Sequence, residues 1–113
     1  MAARDATTSN ARITTDTDTA VQAALGGIKT IQLRWLIATV EDVGTASLLR
    51  IEDGAGGNVI ATLDTSAAGN QLVLSWPADM PYELSANTAL NAETTSTADP
   101  ATVVINAGTI EGS

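Results

Sequence analysis

Two adjacent carboxylate pairs, Glu41-Asp42 and Glu52-Asp53, are the residues whose type could support acid and base work of the glycosidase kind. That chemistry sets one carboxyl as acid and another as base or nucleophile across a shaped cleft, at a separation that fixes the outcome. Neighbours on a strand point to opposite faces, so both pairs read as turn residues left at strand ends where water remains available. Asp16-Thr17-Asp18 and the run from Asp53 to Asn58 offer hard oxygen ligands of the type that calcium takes, about six to eight at a time. Neither has EF-hand spacing, and both fit turns whose side chains bond their own backbone. The sequence contains no His and no Cys. This removes Ser-His and Cys-His nucleophile systems, imidazole bases, disulfides and almost every zinc site. The chain is therefore expected not to be an enzyme, and to require no metal and no cofactor.

Residues that could bind a partner are few. Trp35 and Trp76 could form a stacking platform for sugars. Trp35 shares the register of Ile31, Leu33 and Ile37 and is assigned to the core, whereas Trp76, beside Pro77, is a candidate rim contact. Arg4 and Arg12 lie in a segment, 1–12, without periodicity, and could anchor an acidic groove of a partner through bidentate contacts. Arg4, Arg12 and Trp76 are thus the candidate partner-binding residues, with a solvated tail as the alternative for the two arginines. Thirteen acidic residues against five basic ones give a net charge of −8. That balance opposes binding to a phosphate backbone, which depends on Lys and Arg displacing counterions. No stretch approaches the roughly 18 apolar residues of a membrane span, and no signal-peptide core follows the first residues.

The elements that must position these residues are strands. A chain of 113 residues fits one domain, and with 44% apolar residues but only 3% aromatic ones its core must be aliphatic. Ile31, Leu33, Trp35 and Ile37 alternate with Thr30, Gln32 and Arg34, a period of two that puts the apolar set on one face. A second strand over 45–52 carries Leu49 and Ile51 on one face and runs into Asp53-Gly54-Ala55-Gly56-Gly57-Asn58, whose glycines supply the positive φ of a hairpin loop. The return strand is Val59 to Leu63. Gly69-Asn70 then introduces a strand over 71–76 that Pro77 and Pro81 close, and shorter strands are expected around Tyr82–Leu84, Ala89–Glu93 and Ala101–Ile105.

Helical stripes are missing, and the best candidate, Thr19 to Leu25, is about two turns long. Seven to eight short antiparallel strands with turns every ~8–12 residues predict an all-β fold, a single β-sandwich or jelly-roll-like domain with an N-terminal arm. The predicted layout is an arm over 1–12, the β-sandwich domain over 13–107 and a C-terminal tail over 108–113. The predicted core is Ile31, Leu33, Trp35, Ile37, Leu49, Ile51, Leu63, Leu72, Leu74 and Val103.

The stretch Gly27-Ile28 through Leu49-Arg50-Ile51-Glu52-Asp53-Gly54, the return Gly57-Asn58-Val59-Ile60-Ala61-Thr62-Leu63-Asp64-Thr65 and the late Ala101-Thr102-Val103-Val104-Ile105 resemble small β-rich virion proteins of tailed bacteriophages, among them the capsid decoration (cement) proteins. The resemblance spans roughly residues 27–106. It implies a β-sandwich or jelly-roll domain on the outer surface of the capsid, commonly trimeric, whose partners are the major capsid protein and further copies of itself. On this reading neither nucleic acid nor membrane is a partner. A carbohydrate- or receptor-binding module of a phage fibre or spike is the alternative, against which the scarcity of aromatic residues counts. The coat protein of a small RNA phage is a third, disfavoured by the net charge and the missing helices.

Overall fold

The computed structural model describes residues 6–14, 19–44, 48–94 and 101–112. Nine strands are formed among the described residues: β1 (Ala6–Ile13), β2 (Thr19–Gln22), β3 (Thr30–Asp42), β4 (Leu48–Asp53), β5 (Asn58–Asp64), β6 (Gln71–Ser75), β7 (Tyr82–Glu83), β8 (Leu90–Thr94) and β9 (Thr102–Gly112). One sheet has the order β1-β9-β3-β6, with the two-residue β7 also paired to β3, and the other has the order β2-β8-β4-β5. All pairings are antiparallel.

The pairing is nested. β4 pairs with β5 across the tight 54–57 loop, β3 with β6, β2 with β8 and β1 with β9, so the chain runs out and back as one long antiparallel ribbon. Folding that ribbon over itself adds β3 to β9 and β4 to β8, which closes two sheets around one core. This is the jelly roll that the strand count and turn spacing predict.

Turn chemistry fixes the ribbon's tip. Gly54 and Gly56 stand at φ +84° and +68°, a region that costs a side chain but not glycine. Farther along, the Asp64 carboxylate accepts a hydrogen bond from the Ser66 amide at 2.9 Å, an Asx turn that starts the chain toward β6.

Two boundaries expected from the sequence are corrected, and the weak helix candidate resolves as strand. Residues 6–13 belong to no free arm, since β1 pairs along its whole length with β9, from Ala6 opposite Ile110 to Ile13 opposite Val103, and Ile13 is fully buried. The segment carries little pattern because an edge strand of Thr, Ser and Asn gives the core only Ala11 and Ile13. Likewise 108–112 is no tail but the continuation of β9, paired with both β1 and β3. The two-turn helix candidate is the strand β2, in which Val21 is the buried residue.

The core is aliphatic as composition requires: its buried apolar residues are Ile, Leu, Val and Ala. Ile31, Leu33, Leu49, Ile51, Leu63 and Val103 are in it as predicted, and Leu72 and Leu74 pack against it half-buried. Trp35 and Ile37 are not. Leu33 lies opposite Thr109 and Trp35 opposite the adjacent Gly108, so Arg34 is an extra residue in β3. Such a bulge shifts the pleat by one position and exchanges the faces of every residue beyond it. The buried set therefore passes from Ile31 and Leu33 to Leu36, Ala38 and Val40, and Ile37 is left 37% exposed.

Candidate interaction face

The bulge gives the β1-β9-β3-β6 sheet an outward face unlike the rest of the protein. The registers Trp35 to Gly108, Ile37 to Asn106 and Thr39 to Val104, extended to Thr8, Asn10 and Arg12 on β1, place these residues on its outer side. Val73 on β6 stands opposite Ile37 and is 64% exposed. Acids occur only at the margins of this face among the described residues, with Glu41 and Asp42 at one end and Glu83 at the other. Its centre is thus apolar and amide-bearing in a chain whose net charge is −8.

Trp35 is half-buried, and its indole lies against the backbone of Gly108: a Cβ at that glycine would collide with the indole Nε1. Cross-strand pairing of an aromatic ring with glycine covers the bare backbone and fixes the ring's direction. Beside it opens a cleft of about 190 Å³ lined by Thr7, Thr8, Arg34, Trp35, Gly108 and their β9 neighbours. Arg34 Nε is buried and makes no hydrogen bond among the described residues. A buried donor left in that state costs about 1–3 kcal/mol.

Arg12 stands on the same face and forms an ion pair with Glu41, reached across β9. Its side chain remains 61% exposed, which keeps the contribution of such a pair to about 0–1 kcal/mol. Together with Asn10, Ala11, Val104 and Asn106 it lines a second, shallow depression. Arg4 lies outside the described residues. Trp76 follows β6, where its amide donates to the Arg34 carbonyl at 2.9 Å, and its ring meets Tyr82 at 6.0 Å between centroids, both half-buried against the core. The structure puts Arg12 on the outward side of this sheet and packs Trp76 at the edge of the core. Arg34 faces outward as the alternation predicts, whereas Trp35 does so against expectation; three consecutive apolar residues, Trp35-Leu36-Ile37, are the sequence signal of a face exchange.

Among the described residues the two carboxylate pairs are not brought together. Glu52 is buried while the half-buried Asp53 accepts hydrogen bonds from the Ser85 amide and hydroxyl at 3.2 Å, tying the 54–57 hairpin to the 84–88 loop. Glu41 is engaged by Arg12. Asp16 and Asp18 lie outside the described residues. Among the described residues no three His, Cys, Asp or Glu side chains gather to hold a metal ion. The Ser66 hydroxyl and amide hold the exposed Asp64 carboxyl below its ordinary value of 3.8 by hydrogen bonding to the charged form.

No known protein family and no characterised relative matches the sequence. Solved structures do. Over 100% of this chain and 82% of the other, the fold is similar, at a TM-score of 0.50 and 15% identity, to a chain of the virus-like particle of the extra small virus (XSV) of the giant freshwater prawn Macrobrachium rosenbergii, seen by cryo-EM. A chain of the cyanophage Pam1 capsid asymmetric unit is similar over 95% of this chain and 85% of its own, with 11% identity and a TM-score of 0.49. At 15% identity the XSV likeness establishes a shared fold.

Proposed function

We propose that the chain is a structural protein of a virion, a capsid decoration (cement) protein that binds the outer surface of a phage head as a homotrimer and bridges neighbouring subunits of the major capsid protein. The observation that carries the reading is the fold, a single jelly roll shared along the whole chain with a protein of a viral particle. Fold alone leaves function open. The acidic balance supports a place away from the packaged nucleic acid, and the acid-free centre of the β1-β9-β3-β6 face supplies a surface for protein contact. Arg12, exposed at the edge of that face, belongs to the proposed contact.

The mechanism is linkage. A protein that binds only the assembled lattice stabilises it by RT ln(1 + [L]/Kd), about 2.7 kcal/mol at a hundredfold excess over Kd. Three linked copies raise the effective concentration of each further contact, so weak individual patches suffice. The test is the composition of purified virions: the chain is expected at a fixed ratio to the major capsid protein, and heads lacking it should open at lower temperature. Absence from virions refutes the reading.

A further inference from the structure

We propose that the cleft at the β3 bulge is a carboxylate-binding subsite, in which Arg34 receives an Asp or Glu side chain from a second copy of this chain. The inference deepens the functional reading, on which it rests for the homotrimer that the contact would close.

Cation pairing singles out Arg34. Among the described residues Arg12 pairs with Glu41, Lys29 with Glu111 and Arg50 with Glu93, while no acid stands against Arg34. Its Nε is withdrawn from water and makes no hydrogen bond, yet the side chain lines a cleft open to solvent. A guanidinium presents a planar fork of donors that matches a carboxylate. Thr7 and Thr8, which carry hydroxyls, and Trp35 line the same cleft, so an incoming acid would meet further donors and an apolar neighbour for its methylenes. Bulges commonly serve to re-aim a side chain, and here the extra residue is the arginine itself.

Charge complementarity names the occupant. The chain has 13 acidic residues, and Asp64 and Asp79 are exposed carboxylates outside the β1-β9-β3-β6 sheet. One copy therefore carries both halves of the contact on different surfaces: a cationic cleft within a face whose centre is free of acids among the described residues, and exposed acids elsewhere. A contact between unlike surfaces is heterologous, and with a closing rotation it forms a ring. Two identical acidic surfaces would instead repel.

Sedimentation equilibrium of the full chain at physiological ionic strength tests this, with circular dichroism to show that each variant folds. The wild type is expected to self-associate, Arg34→Glu to weaken association at least tenfold, about 1.4 kcal/mol, and Arg34→Lys to weaken it less. Thr8→Glu supplies a carboxylate to the cleft from within the chain and should weaken association similarly, which keeps the test decisive where Arg34→Glu fails to fold. A monomeric wild type, or folded Arg34→Glu and Thr8→Glu chains that associate as the wild type does, overturns the inference. The two proposals fail distinguishably: association through Arg34 by a protein absent from virions refutes the virion reading and leaves this inference, whereas a protein present on virions but monomeric in solution refutes this inference, and with it the preformed trimer, and leaves the virion role.

Discussion

Replacing Leu36 and Ile37 by alanine, one at a time, separates two adjacent residues that strand alternation ranks in the wrong order. Leu36 is fully buried, inward of β3, whereas Ile37 faces out and is 37% exposed. Leu→Ala removes three carbons, a transfer loss of roughly 2.4 kcal/mol at about 0.8 per methylene. The cavity left in a packed core raises the expected cost to about 2–5 kcal/mol. For Ile37 the same transfer loss applies only to the covered part of the side chain, and solvent fills the vacated space, so its cost is held to about 1.5 kcal/mol or less. With roughly 4 °C lost per kcal/mol in a domain of this size, Leu36→Ala should lower the melting temperature by about 8–20 °C. Ile37→Ala should lower it by no more than about 6 °C. Thermal unfolding followed by circular dichroism reads both. An Ile37→Ala loss equal to or greater than that of Leu36→Ala would show that Arg34 is not a bulge and that Trp35 points into the core.

The other expectations concern the strand edges and the turns. Gly108→Ala drives a methyl group into the Trp35 indole, and should cost about 1–3 kcal/mol and shift the tryptophan emission; an unchanged spectrum and stability would remove the indole from that glycine. Deleting residues 2–12 takes away seven of the eight residues of β1, exposes one edge of β9 and should cost several kcal/mol out of a total of about 5–15, so a chain that melts normally without them contradicts the pairing. Asp64 stabilises the fold through Ser66 while it is charged, and with its folded pKa depressed that contribution is present above its ordinary 3.8 and lost as pH falls through the lower folded value. The stability difference between wild type and Asp64→Asn should accordingly shrink on acidification below about pH 4, and a difference independent of pH contradicts the assignment.

Much of the architecture is legible in the residues because half-buried strands repeat every second residue and Gly-Asx turns punctuate them. Leu49 with Ile51, the Asp53–Asn58 loop and the Leu63 return strand stand where alternation puts them. The two ends are illegible for one physical reason. β1 is an edge strand of small polar residues, and the last part of β9 holds Gly108, Thr109 and Gly112, whose cohesion comes from main-chain pairing and polar contacts such as Thr109 Oγ1 to Gln22 Oε1 at 2.6 Å. Pairing of that kind leaves no hydrophobic period to read. The interaction face is hidden for a different reason, since Ile31-Leu33-Trp35-Ile37 alternates without fault and only the competing series Leu36-Ala38-Val40 reveals that the pattern changes phase.

That change of phase links the fold to the proposed contact. A regular β3 would bury Trp35 and Ile37 and turn Leu36, Ala38 and Val40 outward, giving an aromatic core and a small aliphatic surface. Bulging Arg34 out of the pairing reverses the choice beyond it: the aliphatic series fills the interior, and the ring is laid over Gly108 instead. The same bulge leaves a guanidinium whose buried Nε makes no hydrogen bond among the described residues. Deleting Arg34 would remove the extra residue yet leave Trp35 opposite Gly108 and the series Leu36, Ala38 and Val40 inward, so the cationic cleft should be lost while the core keeps its phase. Arg34→Glu keeps the extra residue and reverses only the charge, so stability should stay while association falls. Both variants should lose association, and only the deletion also removes the bulge, so comparing them separates the guanidinium's charge from the bulge's geometry.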